Sequence, residues 1–454
     1  MGTPCSAHFR TWLGKLESPQ GCGYRLQSAP VNLEDAMYAM LTGVTLLIFS
    51  VVARLLARSA IHPSVAMPVT WGLGLLGVSL ASMIGFYPVE SDALLIFLAG
   101  VLSFSLSSAI FSFIYNSYTS PYSYNILFDR DLRAKSLVFF FCVAHLFFLT
   151  VIYRDLSSIA PTLREAAYMV RAQSVSGEPL LSSLSLNYLQ LGQTVIPLVV
   201  LLYLRGKCGA IGMLSVSAPW MAVILLASGR SSLMQMLVGL FFIYVLVKGR
   251  TSIKSIFVIG MAMFLVIAVG AVATSKIQFH EGDGISTLLV ELYRHVAGYA
   301  LQGPVLFDRY YQGLIQVEPH WSPFNGLCSM GYILGLCEKP IQHLDFYAYA
   351  PGELGNVYSV FFSMYPHYGA LGVVFFMAAY GMVCSYAYCK AKKGSLYFTI
   401  LSSYFFSAIV FSLFSDQIST SWWFYVKMTI ILGILCFVFK RDRMFVIRIP
   451  QKAN

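Results

Sequence analysis

The sequence predicts an all-α polytopic membrane protein, with about eleven transmembrane helices by the ~20-residue rule and one large loop on the outer side. Three observations predict it. Hydrophobic residues make up 57% of the chain and charged residues 11%, against about 25% charged in a soluble domain; the mean hydropathy is +0.70. The apolar residues come in runs of about 20, the length that crosses a ~30 Å hydrocarbon core. From Lys276 to Gly372 that pattern gives way to one long polar and aromatic stretch.

In chain order, apolar runs fall near 36–56, 64–86, 93–114, 136–153 and 187–204, then near 209–227, 231–247 and 255–274. After the polar stretch they resume near 368–389, 396–414 and 421–439. This divides the chain into an N-terminal segment 1–35, a first bundle 36–274, a large outer loop 275–367 carrying the site, and C-terminal helices with a tail, 368–454. No internal repeat or low-complexity segment stands out.

The loops fix the orientation. Arg54 and Arg58 follow the first run, and Arg130, Arg133 and Lys135 lie between the third and fourth. Arg205 and Lys207, then Lys248, Arg250 and Lys254, then Lys390, Lys392 and Lys393, then Lys440, Arg441 and Arg443 follow the fifth, seventh, ninth and last. Every second loop is basic, so strict alternation gathers them on one side, the cytoplasm by the positive-inside rule. The net charge of +10 is therefore topology charge rather than a nucleic-acid surface. The 154–186 loop, the turn around Arg230 and the 275–367 loop fall outside, with Trp422 and Trp423 in an outer aromatic belt. Residues 1–35 also come out outside despite Arg10, Lys15 and Arg25, and they lack the apolar region of a cleavable signal peptide. A start nearer Met37 or Met40 and a missed or re-entrant span both remain open. Cys328 and Cys337 lie in the outer stretch, where an oxidising compartment permits a bridge; Cys5 and Cys22 are on the same side.

Arg230 is the sharpest single residue, a cation in an outer turn too short to leave the membrane surface. Ionisable groups at such depth mark ligand sites, and a guanidinium grips phosphate bidentately; snorkelling to headgroups is the plain alternative. Arg294 follows the helical pattern 286–293, and Arg309 comes fifteen residues later. With Arg230 they form a candidate diphosphate clamp, or else ordinary pairs such as Glu291 with Arg294. Tyr299 and Trp321 are candidate sugar-stacking rings, or members of the interfacial belt. His280, His295, His320, His343 and His367 show no zinc-ligand spacing, so no metal or other cofactor is expected. Asp129-Arg130-Asp131 sits in a basic loop and reads as solvated charge. No P-loop and no G-x-S-x-G are present.

At two stretches the chain resembles the Wzy-type oligosaccharide repeat-unit polymerases, relatives of the O-antigen ligases with a GT-C-like glycosyltransferase plan. Ser228-Gly229-Arg230-Ser231-Ser232-Leu233 is similar to the family's small-residue-plus-arginine motif. Asn356-Val357-Tyr358 with Gly369-Ala370-Leu371-Gly372 is similar to its N-x-[YF] … G-x-x-G, where the outer loop returns to the membrane. The resemblance implies undecaprenyl-diphosphate-linked oligosaccharides as donor and acceptor, an inner-membrane location and Asn356 and Tyr358 at the substrate. It admits a chain-length regulator as a partner. In such a reaction Arg230 and Arg294 would stabilise the departing diphosphate, and His367, then Glu353 and His343, are the candidate bases.

Two departures stand out. The ligases carry histidine just before that asparagine, where this chain has Gly355, and an acidic residue often found before the first motif glycine is His367 here. The first favours a polymerase over a ligase. A lipid-linked oligosaccharide flippase would show internal repeats and broken helices, and a polysaccharide O-acyltransferase is a weaker alternative.

Overall fold

The computed structural model describes residues 33–83, 85–118, 132–176, 180–226, 230–249, 254, 258, 260–266, 285–316, 322–338 and 346–439. The first half holds α1 (Leu33–Ala57), α2 (Pro63–Ser82), α3 (Ser91–Tyr118), α4 (Ala134–Ile159), α5 (Leu163–Ser176), α6 (Ser183–Leu204), α7 (Ala210–Leu226) and α8 (Arg230–Lys248). The outer stretch forms α9 (Ile285–Tyr311), α10 (Asn325–Ile333) and a hairpin of β1 (Tyr347–Ala350) with β2 (Glu353–Gly355). After a 3₁₀ turn at Val360–Ser363 come α11 (Tyr365–Lys392), α12 (Leu396–Val410), a second 3₁₀ turn at Phe411–Leu413, and α13 (Trp422–Val438).

Eight of the described helices are long and apolar enough to cross a membrane: α1 to α4, α6, α8, α11 and α12 extended to Leu413. Two shorter apolar helices, Ala210–Ile224 and α13, coincide with two more of the expected runs. The remaining run, 255–274, lies mostly outside the described residues, as do residues 1–32 and the Asp129–Asp131 triplet. The chain is an all-α polytopic membrane protein.

Two expected loops are helical instead. The 154–186 segment continues α4 to Ile159 and then forms α5. Thr162 Oγ1 accepts from the Glu165 amide at 3.2 Å and donates to Glu165 Oε2 at 2.9 Å, a side-chain cap that satisfies one orphan donor of α5. The helix expected over 286–293 runs on to Tyr311, through Gly298, Gly303 and Pro304. Packing overrides their poor propensity, since Leu301, Val305, Leu306 and Phe307 are all buried.

An aromatic cluster pins α9 to the bundle. Trp71 of α2, Phe97 of α3 and Phe361 of the first 3₁₀ turn lie within 4.8 to 5.3 Å of one another, and Phe307 stands 5.1 Å from Phe97. All four are fully enclosed, and such pairs contribute about 0.5–1.5 kcal/mol each beyond burial.

The contacts sort the loops into two ends. At one end the Tyr87 amide donates to the Tyr349 carbonyl at 3.1 Å and the Glu90 amide to Asp308 Oδ1 at 3.1 Å. At the other the Arg133 amide donates to the Phe439 carbonyl at 2.8 Å, Arg205 Nη2 to the Gly394 carbonyl at 3.0 Å, and Tyr388 to Ser59 at 2.8 Å. The described part of the 275–367 stretch and the described basic loops thus occupy opposite ends.

The return into the membrane is broken at Gly369, whose φ of 61° interrupts α11 after its first turn. An L residue rarely adopts that conformation, which gives the first glycine of the G-x-x-G pattern a backbone reason.

Candidate functional site

Near the end that carries α9 and the hairpin, α6, α8, α12 and the start of α13 line a polar cavity of about 260 Å³. Its walls include Gln190 and Gln193 from α6, Ser231, Ser232 and Gln235 from α8, Tyr404 from α12, and Gln417, Ser421 and Tyr425 from the approach to α13. Spacings of three and four residues put these side chains on one face of each helix. No Asp, Glu, Lys, Arg or His occurs among the described lining residues.

Hydroxyl groups lace the wall helices together. Tyr404 donates to the Gln193 carbonyl, Ser407 to the Gln235 carbonyl at 2.6 Å and Tyr425 to the Gln417 carbonyl at 3.1 Å. Lys427 Nζ donates to Gln190 Oε1 at 2.7 Å. Arg230 is the first residue of α8, directly before Ser231 and Ser232; only its backbone is described.

Beside the cavity, sharing Ala408 and Gln417 as lining, lies a second space of about 10 Å³, the size of one water. Asp416 borders it and is 1% exposed. Its Oδ1 accepts from the amides of Ile418 at 3.1 Å and Ser419 at 3.0 Å. Its Oδ2 accepts from Ser363 at 2.7 Å, Tyr380 at 2.8 Å and Ser419 Oγ at 2.5 Å. Five donors satisfy a buried carboxylate that would otherwise be costly, and they hold the non-helical 414–421 segment that presents Gln417 and Ser421.

A third cluster joins α9 to the 83–90 turn. Asp308 is fully buried and accepts from the Glu90 amide and, at 2.5 Å, from Gln312 Nε2. Burial is the main cause that pushes its carboxyl up to about 7, with the Glu90 amide and Arg309 working the other way. The Arg309 guanidinium lies 4.1 Å over the Tyr87 ring, and its Nε is buried without a hydrogen-bond partner.

The sequence-predicted residues separate. Arg294 is exposed on α9; fifteen residues at 1.5 Å each set it about 22 Å from Arg309 along the helix. That is too far for both to grip one diphosphate. His367 is exposed in the first turn of α11, its ring 5.8 Å from Tyr368. Glu353, half-buried on β2, accepts from the Tyr349 hydroxyl at 2.5 Å, and burial together with that contact raises the Tyr349 phenol. Tyr299 is half-buried between His295 and Phe414, at 5.5 and 6.1 Å. Asn356 is half-buried and Tyr358 is 1% exposed, packed 4.8 Å from Phe362. His343, Trp321, His280 and His320 lie outside the described residues. Cys328 and Cys337 form a disulfide, with Cα atoms 5.5 Å apart.

Gly355 has a steric reason. A β-carbon there would overlap Gln302 Oε1 and stand 2.9 Å from Tyr349 Cδ1. The hairpin lies so close on α9 that a side chain at the position fits only if Gln302 moves aside.

Sequence reasoning passed over the glutamines and Asp416. Their signal was present: Gln190 with Gln193, and Ser231 and Ser232 with Gln235, recur at helical spacing inside apolar runs, where polar groups face a bundle interior. Comparison of the chain with models of protein families, with curated proteins and with solved structures finds no match in any of the three.

Proposed function

We propose that this chain is a metal-independent membrane glycosyltransferase that polymerises undecaprenyl-diphosphate-linked oligosaccharide repeat units into a surface polysaccharide. The observation that carries the reading is the polar cavity at the head of α8, two of whose first three residues line it directly after Arg230. A bilayer protein with no substrate to hold would fill that space with apolar side chains, because buried polar groups are costly in lipid. The α8 N-terminus, with arginine as its first residue, suits an anionic leaving group.

In the proposed reaction the acceptor's non-reducing hydroxyl oxygen forms a bond to the donor's anomeric carbon. The bond from that carbon to the diphosphate breaks, and its electron pair leaves on undecaprenyl diphosphate. Arg230 offsets the charge that builds there. Arg294 and Arg309 are too far apart to share that task; each would act alone, if at the site at all. The hydroxyl proton passes to a base, for which His367 and Glu353 are the described candidates and His343 the third.

Two features favour an outer, periplasmic site. The described basic loops gather at the opposite end. The Cys328–Cys337 disulfide belongs to α10, which packs on Ser419 and Trp422 beside the cavity, and disulfides persist in oxidising compartments. Gly355, where ligases carry a histidine, favours a polymerase over a ligase.

The test is the length distribution of surface glycan, run on a gel, in a bacterial strain lacking this gene and complemented with the parent chain or with Arg230→Ala. The reading expects a ladder with the parent and a single-unit band with Arg230→Ala. Loss of every band in the deletion strain, with lipid-linked polymer accumulating, would make it a ligase. Accumulation of un-flipped single units would make it a transporter.

A further inference from the structure

The cavity between α6, α8, α12 and α13 has a composition that selects among ligands. We infer that it holds a single uncharged sugar ring, the terminal residue of the acceptor, and leaves the diphosphate outside; this rests on the glycosyltransferase reading above.

Charge argues first. The described lining carries no ionised side chain, and Lys427, close by, is already engaged with the Gln190 carboxamide oxygen. A carboxylate or phosphate entering would lose its water shell with no full countercharge among the described lining residues to replace it, a penalty of several-fold to many-fold in affinity. The partial positive charge at the start of α8 is about half a unit and does not replace a guanidinium.

Hydrogen-bond character argues next. A sugar hydroxyl both donates and accepts, so it is best met by groups that do both. Gln193 and Gln235 present carboxamides with an acceptor and two donors each, Gln417 adds one whose Nε2 already donates to Ser415 Oγ, and Ser231, Ser232 and Ser421 add hydroxyls. Tyr404 and Tyr425 spend their protons on backbone carbonyls, which leaves their oxygens as acceptors toward the cavity. Phe424, 4.8 Å from the Tyr404 ring and 5.7 Å from the Tyr425 ring, completes an aromatic wall for the apolar face of a ring.

Size sets the number. A volume of about 260 Å³ falls just below the ~300–1,000 Å³ range of ligand pockets. That suits one monosaccharide rather than a chain, so the rest of the repeat unit runs outward from the cavity.

The experiment uses the full-length protein in lipid nanodiscs and saturation-transfer NMR. The probes are methyl glycosides of neutral hexoses and N-acetylhexosamines, each paired with its uronic acid counterpart. At least one neutral glycoside should bind saturably, its uronate at least about tenfold more weakly, and Gln193→Leu and Gln235→Leu should each weaken binding by about tenfold. Gln235→Glu, close in shape, serves where a leucine variant does not fold; it should also weaken neutral glycosides. A uronate that binds as well as its neutral partner overturns the inference, as does saturable binding that the variants leave unchanged, or no saturable binding by any neutral glycoside. Glycan length is read separately. An unchanged ladder in a deletion strain alongside normal sugar binding sinks the polymerase reading and leaves the sugar cavity standing. A lost ladder with no sugar binding does the reverse.

Discussion

Tyr380, in the middle of α11, donates its hydroxyl to Asp416 Oδ2 at 2.8 Å, although Asp416 lies beyond α12 in the approach to α13. Ser363, the last residue of the turn by which the outer stretch re-enters the bundle, donates to the same oxygen. One carboxylate therefore ties the return of the outer stretch, the helix that follows it and a wall of the polar cavity.

Removing that carboxylate strands three hydroxyls and two amides in a dry interior. Asp416→Ala should destabilise the protein by about 2–4 kcal/mol, and Asp416→Asn by less, since it keeps one acceptor oxygen. Thermal unfolding of the purified protein in one detergent checks this. An alanine variant that melts with the parent would mean that the network contributes nothing to the fold.

Asp308 gives a pH dependence with a defined sign. Its carboxyl is raised from 3.8 to about 7 by burial, so between those values the folded protein holds a proton that the unfolded chain has released. Stability from this group is present below the ordinary carboxylate pKa and is lost as pH rises toward the folded value. Asp308→Asn should flatten that decline and, above the window, melt roughly 2–4 °C higher than the parent. Melting curves on both sides of the window decide it; parallel pH profiles for the two proteins would show that Asp308 does not titrate there.

Gly355 and Gln302 should behave as a coupled pair. Gly355→Ala or Gly355→His forces a side chain into Gln302 Oε1 and should cost about 1–3 kcal/mol. Gln302→Ala opens the space, so the double variant should recover part of that loss. A double-mutant cycle with no coupling energy would place the crowding elsewhere.

The disulfide closes a short loop. Cys328→Ser should lower stability by roughly 2–3 kcal/mol, and a reducing agent should bring the parent to the same melting point. If reduction leaves the parent's melting point unchanged, the bridge does not constrain the unfolded chain.

Much of the fold was legible because long apolar runs and alternating basic loops are strong, local signals. Ten of the runs correspond to described helices. The extent of α9 was not legible: Gly298, Gly303 and Pro304 read as breakers, and only the packing of Phe307 on Phe97 and Phe361 reverses that. The Thr162–Glu165 cap was readable and was passed over in favour of a loop. At the site, cations and aromatics drew the eye because their chemistry is conspicuous. Glutamines carry less signal each, and their meaning appears only when α6, α8 and the 414–421 segment bring them together. Asp416 sat in plain view between two spans, but its five donors come from Ser363, Tyr380 and the Ile418–Ser419 pair, three separate parts of the chain.

The hydroxyl bonds from Tyr404, Ser407 and Tyr425 to carbonyls on neighbouring segments fix the cavity's walls before anything enters it. Such preorganisation means that little side-chain freedom remains to be surrendered on binding. Discrimination among sugars at this position would then resemble a rigid template more than a closing hand: an epimer with one hydroxyl misdirected would find no adjustable partner. A chain built this way tolerates wide variation in the exposed remainder of a repeat unit while remaining strict about its terminal residue.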